Sequence, residues 1–366
     1  MDRIAVIPGD GVGPEVVRES RKILERMAVL DPGLGFAFDE FPWSATAYLR
    51  SGEMMPQDGL EILSGYDALL FGAIGSPLVK DHITLHELLL RIRQGFDQYI
   101  NLRPVRLLAG IETPLAGRTA ADIDMIVVRE GTEGEYAGVG ARLYEGSERE
   151  VALQTAVFSR HGTERVMRWA FELAAREGRS VTSISKGNAL NYSAVFWDQV
   201  FDEVAADYPS VPTERLLVDA AAMFMVMDPG RLGVVVASNL FGDILTDLGA
   251  AIMGGMGFAP SANLNPERAF PSMFEPIHGS APDIAGQGKA NPIGSLWSTA
   301  MMLEHLGHGD WAAALMKAIE RVLAARAVRT PDLGGVSTTE EMGDAVLAAL
   351  EWPAPGSAGS LAGAPS

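Results

Sequence analysis

The run Ile4–Glu15, "IAVIPGDGVGPE", sets four apolar residues before a glycine-rich turn and the start of a helical pattern. An apolar, β-branched stretch followed by glycines and a 3.6-residue period predicts strand, turn and helix, the unit from which α/β sheets are built. Gly9, Gly11 and Gly13 invite comparison with the dinucleotide fingerprint, which wants three glycines at that turn and an acid about 20 residues later. Here Pro14 stands in the third glycine's place. Its fixed φ and missing N–H suit the first turn of a helix, so Pro14 is expected to open a helix Glu15–Leu30. No acidic residue clearly closes the unit. The turn therefore reads as a tight strand-to-helix connection and not as an ordinary Rossmann nucleotide site.

The same alternation continues along the chain. Short apolar runs at Ala68–Phe71, Met125–Val128, Val181–Ile184 and Gly233–Ala237 are separated by helical patterns at Leu85–Phe96, Thr163–Arg176 and Tyr192–Tyr208. Strand and helix in turn over the whole length predict an α/β fold with a mostly parallel sheet. Residues 138–150, "GVGARLYEGSERE", alternate and turn instead, as a β-hairpin or arm does. Residues 353–366 are small, Pro/Gly/Ser-rich and uncharged, and are expected to form a disordered tail.

With 29 Lys+Arg against 47 Asp+Glu, the chain carries a net charge of −18. Such a surface repels phosphate backbones and anionic lipid, which argues against nucleic acid or membrane as a partner. An anionic substrate would then need a local pocket of arginines. There is no cysteine, so thiolate metal sites and disulfides are out. No run approaches the roughly 20 apolar residues of a membrane span, and Asp2 and Arg3 lead straight into a strand. A cytoplasmic enzyme is the expectation.

Three groups of residues carry chemistry. In "VVVASNLFGDILTDLG", Asp243 and Asp247 are four apart, which puts both carboxylates on one helical face. Two like charges there repel unless a cation relieves them, and oxygen-only ligands suit Mg²⁺ or Mn²⁺. A solvated acidic edge is the plain alternative. Asp219, after the apolar run in "LLVDAAAM", is a candidate third carboxylate. Arg91, Arg93, Arg103 and Arg129 lie at helix and strand ends, where the guanidinium fork accepts a carboxylate bidentately; surface pairing with the many acids is the competing role. Tyr136 is either a proton donor or a packed ring, and Lys186 ends a strand where α/β active sites collect.

Taken together these segments resemble the β-decarboxylating dehydrogenases: the isocitrate, isopropylmalate, D-malate and tartrate dehydrogenases. The motifs are "IPGDGVGPE", "FDQYINLRPVR", "VVREGTEGEY", "SISKGNAL", "VDAAAM", "NLFGDILTDLG", "FEPIHGSAPDIAGQGKANP" and "TPDLGG". "DHITLHELLLRIRQGFDQY" and the stretch from "APSANLNPERAF" onward look most like the D-malate/tartrate branch. The resemblance implies a two-domain fold that is not an ordinary Rossmann fold. A large domain would comprise residues 1–98 and 255–352. A small one, residues 99–254, would carry metal and dimer contacts and the arm at about 138–150.

It also implies where the ligands go. The dinucleotide would sit on the loop His278, Gly279, Ser280, Ala281, Pro282, Asp283 and on Ala290 and Asn291 after it, with the opening glycine loop lining the cleft nearby. Asp283, followed by Ile284, implies NAD, since a carboxylate repels a 2′-phosphate; Lys289 is the one nearby cation against that. Arg93, Arg103 and Arg129 would clamp a malate-type dicarboxylate. Asp219, Asp243 and Asp247 would hold Mg²⁺ or Mn²⁺, with K⁺ as a further candidate cofactor. Lys186 would be the base for the substrate hydroxyl and Tyr136 the acid that protonates the enol carbon. In the family the residues matching Lys186 and Asp219 come from the partner subunit of a homodimer.

His86, Leu89 and Leu90 would meet the substituent at C3. His86 stands where the D-malate/tartrate branch usually has an aromatic residue. Gly131 replaces that branch's usual asparagine, and Gly187 replaces the usual alanine or serine. The activity implied is NAD- and metal-dependent oxidative decarboxylation of a D-malate- or tartrate-type acid. A 3-isopropylmalate or other alkylmalate dehydrogenase and a non-catalytic regulatory subunit are the alternatives.

Overall fold

The computed structural model describes residues 1–353, so all but Pro353 of the expected tail lies outside the described residues. The strands are β1 (Asp2–Gly9), β2 (Phe36–Glu40), β3 (Ala68–Ala73), β4 (Ile100–Arg106), β5 (Asp124–Glu130), β6 (Gly134–Leu143), β7 (Val151–Val157), β8 (Val181–Ser185), β9 (Thr213–Leu217), β10 (Val234–Ala237), β11 (Pro260–Leu264) and β12 (Ser272–Pro276). Ten of them form one sheet in the order β2-β1-β3-β12-β11-β4-β5-β10-β8-β9. Pairing is parallel on both flanks. It is antiparallel only in the middle, from β12 through β11 and β4 to β5. The sheet is mostly parallel, as expected, with an antiparallel seam.

The opening unit folds as read. β1 feeds a helix Gly13–Leu30 with proline in its first turn. The helix stops before Asp31-Pro32, because the residue before proline is pushed to extended backbone. It buries Val16, Val17, Ile23, Leu24 and Met27, each contributing about 1.5–3 kcal/mol of transfer free energy. One expectation is corrected: an acid-ended strand does follow. β2 ends in Asp39-Glu40 and pairs parallel with β1. "FAFDE" is a half-exposed edge strand, so it lacks the apolar run that marks a buried one.

Helices cover the sheet on both sides. The helix Ile293–His305 is buried almost all round and packs against Gly309–Ala325, while Thr339–Ala349 packs against Gly309–Ala325 and Gly13–Leu30. The helices Arg160–Glu177 and Ser193–Asp207 pack together beside β8 and β10. The expected helix Leu85–Phe96 is broken into Asp81–Thr84, one wide π turn at Leu85–Leu89, and Leu90–Gly95. The hairpin is longer than residues 138–150: it runs from β6 to β7 as a separate two-stranded ribbon. Among the described residues no helix is long and apolar enough to cross a membrane.

Candidate active site

A cavity of about 160 Å³ opens where the antiparallel seam meets the carboxyl ends of β3 and β12. Arg93 comes to it from the helix Leu90–Gly95, Arg103 from β4 and Arg129 from the end of β5. All three are buried, at 5%, 4% and 2% exposure, in a protein that is otherwise short of cations. They are therefore the predicted carboxylate binders brought to one place. Arg91 is not among them: its guanidinium donates to the Met55 and Gln57 carbonyls and ties down a loop.

Asp243 joins the arginines. It follows β10 on the helix Asn239–Ile252, and its Oδ1 accepts from Arg129 and, at 3.3 Å, from Arg103. Its Oδ2 accepts from the Tyr136 hydroxyl at 2.9 Å. Burial pushes the Asp243 carboxyl up, but Arg129 and Arg103 outweigh it and hold it below its ordinary range. Burial and repulsion from Arg103 pull the Arg129 guanidinium down to about 9. Burial and the Asp243 charge raise the Tyr136 hydroxyl, so the phenol keeps its proton. Asn239 completes the cluster by accepting from Arg129 Nε and Nη2 at 3.0 and 2.6 Å.

Asp247 lies one turn further along the same helix and is exposed, its carboxyl raised by burial and by Asp243. Asp219 is elsewhere. It opens the helix Val218–Met227 after the edge strand β9 and accepts from Lys186 Nζ at 2.5 Å. Neither Asp219 nor Lys186 lines the cavity. Among the described residues no three acidic or histidine side chains of one chain gather as a metal-ligand set. The expected Asp219–Asp243–Asp247 trio is thus not assembled within one chain.

Leu89 and Leu90 line the cavity together with Leu85 and Ile74. His86 does not; it is exposed, and Leu85 takes the place assigned to it. The wide π turn at this segment adds a residue to the helical repeat, which a 3.6-residue reading does not anticipate. The two glycine departures sit in crowded places. A Cβ at Gly131 would lie 2.5 Å from the Gln98 carbonyl oxygen, and one at Gly187 would lie 2.5 Å from Asp198 Oδ2.

The loop His278–Gly286 forms the far wall. His278 and Gly279 line the cavity, and the His278 imidazole is held neutral by burial, with Nε2 unpartnered. Gly279, Pro282 and Asp283 are exposed, Ala281 is half-buried, and Ser280 is buried. The opening loop does not line the cavity but backs this wall. Val12 N–H donates to the Ser280 carbonyl at 2.9 Å, and Gly11, at φ +61°, lies so close to it that any side chain there would collide. Glu15 Oε1 accepts from Gly286 N–H at 2.6 Å. Ala290 is buried against Val12 and Val16. Asn291 is engaged by Asp332 and by the Ile293 N–H, which seats the following helix. Lys289 is bonded to Gln287 next to it.

Two polar residues of the cavity wall were not read from the sequence as site residues: Glu275 and Ser261. Glu275 lies inside the quoted "FEPIHG", yet only the fold brings it to Arg93, 2.7 Å away.

A family model described as isocitrate/isopropylmalate dehydrogenase matches residues 3–346. A probable tartrate dehydrogenase/decarboxylase of Bacillus subtilis is 50% identical over 348 residues, covering 95% of this chain and 97% of the relative. The decarboxylating D-malate dehydrogenase of Escherichia coli is 49% identical, over 94% of this chain and 97% of its own length. Among solved structures, isocitrate dehydrogenase from Methylococcus capsulatus superimposes with a TM-score of 0.86 at 34% identity, covering 96% of this chain and 99% of that one.

Proposed function

The chain belongs to the isocitrate/isopropylmalate dehydrogenase family and is an oxidoreductase, and on that premise we propose NAD-dependent oxidative decarboxylation of a D-malate- or tartrate-type 2-hydroxy acid. The observation that carries the reading is the convergence of three buried arginines with Asp243 and Tyr136 on one small cavity. A dicarboxylate fits three guanidinium forks, each presenting planar N–H donors. The relatives near 50% identity bear tartrate and D-malate in their names, which supports that branch.

Asp243 and Asp247, one turn apart and rich in oxygen, fit Mg²⁺ or Mn²⁺, with Asp219 supplied by a second copy of the chain. Exposed Met223, Val226, Met227 and Ile244 on the two helices that carry these aspartates support such a homodimer. When bound, the metal would lower the pKa of the substrate hydroxyl and stabilise charge that develops as CO₂ leaves. The His278–Asp283 loop would hold NAD, with Asp283 as the residue that disfavours a 2′-phosphate, and the bound dinucleotide would supply the hydride acceptor. Arg93, Arg103 and Arg129 orient the acid. Lys186 of the second copy takes the hydroxyl proton at Nζ, and Tyr136, which keeps its phenolic proton, donates it to the enol carbon.

Sheet order supports the division into residues 1–98 with 255–352 and residues 99–254. The first part supplies β1, β2, β3, β11 and β12, and the second supplies β4, β5, β8, β9 and β10. They meet in the sheet only at β11–β4. A cysteine-free, strongly acidic chain fits the cytoplasm.

A second reading, an alkylmalate dehydrogenase, is favoured by the three leucines of the cavity wall, which suit an alkyl group at C3. NADH formation with Mn²⁺ across D-malate, the tartrates, 3-isopropylmalate and isocitrate separates the two. Preference for D-malate or a tartrate is expected; preference for 3-isopropylmalate overturns the assignment in favour of the second reading.

A further inference from the structure

Behind the arginines, the antiparallel seam carries a row of buried polar side chains that no strand of an ordinary core would hold. Asn101 and Asn263 are fully buried and stand opposite each other as Cα partners of β4 and β11. Side chains at i and i+2 share a face of a strand, so Arg103 lies on the same face as Asn101, and Ser261 on the same face as Asn263. Ser261 is in turn opposite Glu275 on β12. All five polar groups are thus forced onto one face of three adjacent strands.

Their hydrogen bonds form one unbroken chain. Arg93 Nη2 donates to Glu275 Oε1 at 2.7 Å, and the same oxygen accepts from Asn263 Nδ2 at 2.8 Å. Asn263 Oδ1 accepts from Asn101 Nδ2 at 2.5 Å, which also reaches Ser261 Oγ at 3.2 Å. Asn101 Oδ1 accepts from Arg103 Nε at 2.6 Å. Two amide groups therefore link one substrate-facing arginine to the other through Glu275, across the strand pair where the two halves of the sheet meet.

We infer that Asn101 and Asn263 are positioning residues that set the distance and tilt between Arg93 and Arg103, and so the spacing of the two carboxylates the site accepts. The inference rests on the dicarboxylate reading above. Its physical basis is the division of donors on each guanidinium. Arg103 commits Nε to Asn101 and Nη1 to Thr246 and Asp243, which fixes the plane of its fork. Arg93 commits Nη2 to Glu275, which ties its fork to the same relay. The relay thus holds the two guanidinium planes in a fixed relation while Glu275 neutralises part of the arginine charge. Neither asparagine lines the cavity, so both act through the arginines.

The test is a double-mutant cycle with Asn101→Ala, Asn263→Ala and the double variant. It is read by calorimetric binding of D-malate, meso-tartrate and 3-isopropylmalate and by steady-state kinetics. Each single change is expected to weaken the bound acid about 10-fold and to leave the KM for the dinucleotide within about twofold. Because both changes cut the same relay, the double variant should lose about 10- to 30-fold and not the roughly 100-fold product. A merely structural role would lower the melting temperature without moving the ratio of the two KM values. Asn263→Ser replaces the two amide atoms that separately meet Glu275 and Asn101 with one oxygen on a shorter side chain, which cannot span both partners. It serves where an alanine variant fails to fold, and the same roughly 10-fold loss is expected from it. Folded variants that bind the acid as tightly as the wild type overturn the relay alone. A wild-type protein that binds none of the three acids overturns both the relay and the dicarboxylate reading.

Discussion

The two walls of the cavity are built differently. The arginine wall is buried and held by side chains: Arg93 is bonded to Glu275, and Arg103, Arg129, Asp243, Tyr136 and Asn239 are bonded among themselves before any ligand arrives. The His278–Gly286 wall is largely exposed and held by backbone, through the Val12–Ser280 and Glu15–Gly286 bonds. The first is a charged network in which removing one member strands another, and the second is a seated loop whose outward side chains are free to change. Substitution should therefore be costly on the first wall and should retune the second.

Asp243→Asn strikes the first wall at its junction, leaving Arg103 and Arg129 facing each other with less compensation. Turnover with the preferred acid should fall at least about 10³-fold, in line with loss of a buried, charge-assisted contact. Activity within tenfold of the wild type would mean the wall does not act as a unit. On the second wall, Asp283→Lys with Ile284→Tyr should swing the NADP/NAD ratio of kcat/KM by about 100-fold while the acid's KM holds. A ratio that stays put breaks the proposed NAD contact. Glu15→Ala removes the loop's anchor and is expected to raise the dinucleotide KM about 10-fold with little change in kcat. An equal rise in the acid's KM would show that the walls are not separable.

The smallest effect lies outside both walls. His305 is buried against Phe274, and burial holds its imidazole near pKa 4, down from 6.5. The unfolded chain binds a proton between those values that the folded one does not. Stability should therefore fall as the pH drops from 6.5 to 4, by at most about 1.4 kcal/mol per pH unit. His305→Gln should flatten that part of a pH-dependent urea titration. An unchanged slope would place the acid sensitivity in other groups.

Legibility followed the burial of apolar side chains. β1, β3, β5, β8 and β10 announced themselves as apolar runs because both faces of each are covered. β11 and β12, "PSANL" and "SMFEP", did not, since they bury Ser261, Asn263 and Glu275, and polar residues break the apolar signal. The strands hardest to read were thus those that serve the site. His86 was misplaced for a related reason: the π turn shifts the face that a regular helix would show.

The sequence by itself determined the α/β class, the family and the inventory of arginines, aspartates and tyrosine, because motif spacing and hydrophobic period are local properties of a chain. Only the tertiary structure decided which of them meet. It joined Arg93, Arg103, Arg129, Asp243 and Tyr136 around one cavity and sent Lys186 and Asp219 to the sheet edge. It also turned Glu275, Asn263 and Asn101 into a continuous relay. Arg93 and Glu275 are 182 residues apart, and their contact depends on strand order and register that hydrogen bonding across the whole sheet selects.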